Sequence, residues 1–133
     1  GTLTKTDLGF VLRFVCVTSS KLNVRSMPNA TSSIVKERPS LSMGAILRVY
    51  EMQDGWYKIS SSQSHWIYGK YTKEVKRAEV TTSTLNVRTG PDVKFEKQYS
   101  LQKGEIVFVF EENNGWFKIG LEDKWVSGKY LKF

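Results

Sequence analysis

This chain has a single cysteine, Cys16, and a single histidine, His65. A lone cysteine excludes an intrachain disulfide, and it fits the cytosol as well as those secreted proteins that avoid cysteine altogether. The pair is also the only material for a cysteine nucleophile with an imidazole base. Nothing in the sequence around either residue marks an activated thiol. His, Cys, Asp and Glu nowhere take metal-ligand spacing, and no pair of carboxylates stands in a readable pocket for glycoside hydrolysis. No enzymatic activity, metal or cofactor is expected. No run approaches the roughly 18–20 apolar residues of a membrane-spanning helix. Gly1 to Phe14 lacks the basic segment, apolar core and small-residue cleavage site of a signal peptide. Helical periodicity is absent over any useful length.

What the chain does have, it has twice. Leu22-Asn23-Val24-Arg25-Ser26-Met27-Pro28 returns 63 residues later as Leu85-Asn86-Val87-Arg88-Thr89-Gly90-Pro91. Asp54-Gly55-Trp56-Tyr57-Lys58-Ile59 returns after 60 as Asn114-Gly115-Trp116-Phe117-Lys118-Ile119. Trp66-Ile67-Tyr68-Gly69-Lys70-Tyr71 returns after 59 as Trp125-Val126-Ser127-Gly128-Lys129-Tyr130. Three motifs kept in order, with so little drift in offset, define a duplicated unit of about sixty residues. At the positions of Cys16 and His65 the second copy has Glu79 and Lys124, which again argues against a catalytic pair.

A length of 133 residues permits one domain or two small ones, and the repeat decides for two. The expected division is a tail or linker over 1–14, a first repeat over 15–73 and a second over 78–133, with Lys73 to Glu79 a charged junction. Within the tail, Phe10 to Val15 reads as an extra strand or a docked linker. A domain this small buries only about 60% of its unfolded surface. Large aromatics are therefore expected to fill the cores, Trp56, Trp66, Trp116 and Trp125 first among them.

Each repeat reads as short strands. Val80 to Arg88 alternates, with Leu85 and Val87 on one face and Asn86 and Arg88 on the other, and Val17 to Arg25 is its counterpart. Pro28 and Gly90-Pro91 break the ladder, proline lacking a donor and glycine permitting positive φ. Ile34-Val35 and Tyr99-Ser100-Leu101 look like short strands. Gly44 and Gly104 lead into the most strongly β runs, Ala45 to Tyr50 and Glu105 to Phe110. Asp54-Gly55 and Asn114-Gly115 are hairpin turns. After them Tyr57/Ile59 and Phe117/Ile119 share one face, Trp56/Lys58 and Trp116/Lys118 the other. The Gly-Lys-Tyr segments are expected to form one helical turn. The fold class is all-β, two tandem small barrels, partly open.

The net charge of +7 bears on partners, not on fold. It favours a polyanion or an anionic surface: nucleic acid, a bacterial envelope or acidic lipid. The charges are spread over both repeats rather than gathered into a run, so a soluble domain with spare lysines is the plainer alternative.

Taken together, Leu-Asn-Val-Arg-x-x-Pro, a glycine before a β run, Asx-Gly-Trp-aromatic-Lys-Ile and Trp-aliphatic-x-Gly-Lys-Tyr resemble the bacterial SH3 domain. The resemblance runs from about Val15 to Phe133, twice over. Copy one departs at Met27, where the family usually has the glycine seen at Gly90. Both copies lack the glycine often found before the last Trp, having His65 and Lys124. The resemblance implies two SH3-like barrels, and with them a cell-wall-binding module on peptidoglycan or an associated anionic wall polymer. Tandem copies in such families typically follow a peptidoglycan-cleaving domain in autolysins and phage endolysins of Gram-positive hosts. A chain beginning with Gly rather than Met fits a fragment whose catalytic domain lies on the N-terminal side. The implied location is extracellular, at the wall, with no obligate oligomer.

If Tyr57/Ile59 and Phe117/Ile119 face the core, Trp56 and Trp116 lie toward the surface, where an indole makes a platform for sugars or peptides. By analogy with eukaryotic SH3 domains, Trp56 with Tyr71 and Trp116 with Tyr130 line a groove; the plain alternative is that they cap an undersized barrel. Arg25 and Arg88 offer a guanidinium fork for a carboxylate or wall phosphate, or else stack on a neighbouring aromatic. Asn23 and Asn86 join them as ligand-site candidates, though an asparagine there also fixes the turn before proline. Asp92 and Phe95 are expected to flank the second groove. Polyproline ligands are disfavoured, because Tyr68 and Ser127 stand where the eukaryotic pattern has proline. Two further readings remain, a surface-adhesion module for host glycans and a basic barrel for single-stranded nucleic acid. The second is not expected, because no interleaving of basic and aromatic residues appears.

Overall fold

The computed structural model describes residues 10–133. The chain divides into two compact units between Glu74 and Val75. Of the segment read as a tail, residues 1–9 lie outside the described residues.

The first unit begins with β1 (Arg13–Val17), and Leu12 already donates its N–H to the Val49 carbonyl at 2.7 Å. Then follow β2 (Lys21–Leu22), β3 (Leu41–Ser42), β4 (Ile46–Val49), β5 (Glu51–Gln53), β6 (Trp56–Lys58), β7 (Trp66–Tyr68) and a 3-10 turn at Gly69–Tyr71. Strand β8 (Thr72–Val80) carries the chain on. β1 pairs antiparallel with β4, β2 with β3, and β5, β6 and β7 form a meander. Ile34 makes only a bridge to Arg25, which also bridges to Trp66.

The second unit takes up β8 from Val75 and continues through β9 (Thr84–Arg88), β10 (Lys97–Gln102), β11 (Ile106–Val109), β12 (Glu111–Asn113), β13 (Trp116–Lys118) and β14 (Trp125–Ser127). A 3-10 turn at Gly128–Tyr130 and β15 (Leu131–Lys132) close it. β8 pairs with β11 and β15, while β10, β9, β14, β13 and β12 make one antiparallel sheet in that order. Each unit is all-β and SH3-like, and neither barrel is closed.

Alternation decides what is buried. Leu85 and Val87 are inside, and Asn86 and Arg88 are half-buried on the opposite face. One core gathers Val15, Val17, Leu22, Val24, Val35, Val49, Ile59 and Ile67; the other gathers Ala78, Val80, Leu85, Val87, Val107, Val109 and Val126. This differs from the expectation of aromatic filling. The interior left by short pleated strands is narrow, and valine fits it with a side chain already stiff at χ1. Tyr57 and Phe117 pack at the edge of the cores. Trp66 and Trp125 are buried but belong to neither cluster; their indole N–H groups donate to Ser64 Oγ at 2.9 Å and Asp123 Oδ1 at 3.2 Å.

The segment read as a charged junction is strand, not linker. Val75, Ala78 and Val80 of β8 are buried, while Lys73, Glu74, Lys76, Arg77 and Glu79 stay in solvent. Three apolar residues among five charges are enough to give a strand a core side.

Both Asx-Gly turns hold positive φ at both central residues, 49° and 82° at Asp54-Gly55 and 50° and 83° at Asn114-Gly115. That is the type I′ geometry whose twist matches the flanking strands. Gly90 is different. Its φ is not positive, contrary to the reading of its motif. What it supplies is room, since a Cβ there would come within 2.6 Å of the Phe95 ring. Met27 is tolerated at the matching position because Ser32 stands where the second copy has Phe95, and Met27 is left 52% exposed.

Candidate ligand grooves

Three local devices build the same concave surface in each unit. The first is the type I′ hairpin, which sets Trp56 and Trp116 at the start of β6 and β13. The second is the 3-10 turn, which brings Tyr71 and Tyr130 alongside. Hairpin and turn are locked together: Gly69 N–H donates to the Gly55 carbonyl at 2.9 Å, and Gly128 N–H to the Gly115 carbonyl at 2.8 Å. The third is the loop after the Leu-Asn-Val-Arg strand. Arg25 Nη1 donates to the Ser32 carbonyl at 2.7 Å, and Arg88 Nη1 to the Phe95 carbonyl at 3.1 Å. Each arginine thus ties down a loop seven residues ahead, and one of its five N–H donors is committed there.

In the first unit these devices enclose a groove of about 590 Å³. Lys21, Leu22, Asn23 and Arg25 form one wall, Asn29 and Ala30 a loop margin, and Asp54, Trp56, Tyr68 and Tyr71 the other wall. In the second unit the groove measures about 500 Å³. Thr82, Thr84, Leu85, Asn86 and Arg88 face Trp116, Ser127, Lys129 and Tyr130 across it, with Val93 at the loop margin. Volumes of this size lie in the ordinary range for ligand pockets.

The structure therefore brings Trp56, Tyr71, Arg25 and Asn23 to one groove and Trp116, Tyr130, Arg88 and Asn86 to the other. Both tryptophans are half-buried, and Tyr71 and Tyr130 are exposed. Asp92 and Phe95 are not part of the lining. Asp92 organises its own loop, its Oδ1 accepting from Lys94 N–H at 3.2 Å and its carbonyl from Phe95 N–H at 3.2 Å. The Phe95 ring lies against Gly90, with Lys94 Nζ 5.6 Å from its centroid.

Sequence reasoning passed over Tyr68 as a ligand residue. Tyr68 stands directly opposite Trp56 in the β6–β7 pairing, on the same face, with ring centroids 5.1 Å apart. Tyr71 meets Tyr68 edge-on at 5.6 Å. Pairing the hairpin on paper would have found this, since Ile67 must oppose Tyr57 if both are to face the core. Lys21, Asp54 and Lys129 were missed because a charge on a short strand or turn carries no local signal of what it faces.

Outside the grooves, Cys16 is buried and burial pushes its thiol above the usual range, the reverse of an activated nucleophile. His65 Nδ1 is buried without a hydrogen-bond partner among the described residues. No group of three or more His, Cys, Asp or Glu side chains is placed to hold a metal ion among the described residues.

Residues 83–132, nearly the whole of the second unit, match the family described as the bacterial SH3 domain. The second unit therefore carries that pattern, as its motifs indicate. Among solved structures, the endolysin LysPBC5 CBD aligns at 11% identity and a TM-score of 0.40, covering 90% of this chain and 92% of that one. NlpC2 and NlpC1 from Trichomonas vaginalis align at 13% identity each, with TM-scores of 0.40 and 0.41 and 91% of this chain covered. This chain spans 48% and 45% of the length of those two proteins. No curated protein matches it in sequence.

Proposed function

We propose that this chain is a non-catalytic module that holds a larger protein against the bacterial cell wall, binding peptidoglycan or an associated anionic polymer through one groove per unit. The observation that carries the reading is the recurrence of the groove itself. Equivalent positions of the two sequence copies, the second of which matches the bacterial SH3 family, bring a half-buried Trp, an exposed Tyr, an Asn and an Arg together twice. A wall polymer presents one epitope many times, which is the ligand that two shallow sites in one chain suit. The parent protein in this reading is a Gram-positive peptidoglycan hydrolase, such as a phage endolysin or an autolysin, acting outside the cell. The units extend over about 15–73 and 78–133, and the cleaving domain precedes them.

Sedimentation with purified peptidoglycan sacculi tests the proposal directly. The chain is expected to pellet with sacculi at moderate salt. Trp116→Ala should weaken that binding by about tenfold, the scale for truncating an aromatic anchor, with the circular dichroism of the folded chain retained. Failure to pellet, with binding instead to single-stranded oligonucleotide on a steep salt slope, would assign the grooves to nucleic acid. Binding to host glycans alone would make the chain an adhesion module.

A further inference from the structure

The two grooves are copies in position and not in chemistry. In the first, Tyr68 sits between Trp56 and Tyr71, so three rings form one continuous aromatic wall. Asp54 adds a carboxylate to a lining that also holds Lys21 and Arg25. In the second groove the repeat places Ser127 at the Tyr68 position and Thr84 at the Lys21 position, and Asn114 replaces Asp54. Thr82 and Lys129 join the lining, which then contains the cations Arg88 and Lys129 and no carboxylate.

Each lining favours a different kind of group. Two cations beside the hydroxyls of Thr82, Thr84 and Ser127 supply charge and donors to an oxyanion, with no carboxylate in the lining to repel it. The tie from Arg88 Nη1 to the Phe95 carbonyl fixes the attitude of the guanidinium fork. In the first groove Asp54 offsets part of the charge of Lys21 and Arg25, and the three-ring wall offers the flat face that an uncharged ring stacks on. The balance there favours stacking over an anion.

We propose that the second groove holds an anionic oxygen group of the wall polymer, a stem-peptide carboxylate or a wall phosphate, while the first stacks an uncharged sugar or side-chain face. This rests on the wall-binding reading above and assigns its two contacts.

The indole N–H signals of Trp56 and Trp116 in a nuclear magnetic resonance titration of the full chain report the two grooves separately. Inorganic phosphate and muramyl dipeptide are expected to shift the Trp116 signal, and the carboxamide of that dipeptide to shift it far less. The Trp56 signal should respond to dipeptide and carboxamide alike and stay still with phosphate. Lys129→Gln, at an exposed position, should weaken the anion response of Trp116 by roughly fivefold, the loss of one exposed charge contact. Lys70→Gln, its counterpart in the first unit, should leave both signals as they are. Sacculi stripped of phosphate polymers separate the sources when they are offered to the Trp56→Ala chain, in which the second groove acts alone: lost binding identifies phosphate, retained binding the carboxylate. Equal anion responses at the two tryptophans, or a carboxamide as effective as the carboxylate, would overturn the assignment. If the chain still pellets with sacculi in that case, only the division between grooves has failed; if it does not pellet, the wall reading has failed as well.

Discussion

At the scale of single residues, the same motif position can be held by different physics in its two copies. Gly90 is required by the Phe95 ring, and Met27 is allowed because Ser32 replaces that ring and closes its loop through its hydroxyl, which donates to the Asn29 carbonyl at 2.9 Å. Gly90→Ala should therefore destabilise the second unit by about 1–3 kcal/mol, the usual range for overpacking. Adding Phe95→Ser should recover much of that loss, a coupling that a double-mutant cycle in urea measures directly. Additive effects of the two substitutions would mean that the glycine serves the backbone after all. The arginines show the same economy. Arg25 and Arg88 line the grooves, yet each also secures the loop that forms the groove margin, so truncating either will alter loop and ligand contact together.

Elements add a constraint that no single residue carries, namely the junction of the hairpin with the closing turn. A Cβ on Gly128 would meet Phe117 Cε2 at 2.7 Å and the Gly115 carbonyl at 2.8 Å; on Gly69 it would meet Tyr57 and the Gly55 carbonyl in the same way. Gly128→Ala is expected to cost about 2 kcal/mol of stability and to loosen the approach of Tyr130 to Trp116, which lowered urea midpoint and altered indole fluorescence would register. Unchanged stability would show that the turn can shift freely. This level was the most legible in the sequence. The Asx-Gly turns, the alternation of Leu85 and Val87, and the face shared by Phe117 and Ile119 follow from local rules whose period is two residues. What resisted reading depends on partners far along the chain. The valine-filled cores, the strand at Thr72–Val80 and the place of Lys129 at the second groove are set by tertiary register.

For the whole molecule, the question is whether binding strength lies in charge or in the pairing of sites. Twenty basic residues against thirteen acidic ones leave +7, enough to draw the chain toward an anionic surface. At 0.15 M ionic strength the screening length is about 8 Å, so that attraction acts mainly at low salt. Stacking on Trp56 does not share this dependence, because it is short-ranged. The contact of Arg88 and Lys129 with an anion shares it only in part, because Arg88 is half-buried. Two engaged grooves instead multiply, the second binding event being intramolecular, with gains of about 10²–10⁴ in avidity. The expected signature is a disproportion between polymer and fragment. Trp56→Ala should reduce sacculus binding far more than it reduces binding of a single muramyl dipeptide at the intact second groove, and raising salt to 0.5 M should weaken sacculus binding only several-fold. If the Trp56→Ala chain holds sacculi as firmly as the unaltered one while high salt abolishes binding by both, surface charge is the cause and the first groove contributes nothing to retention.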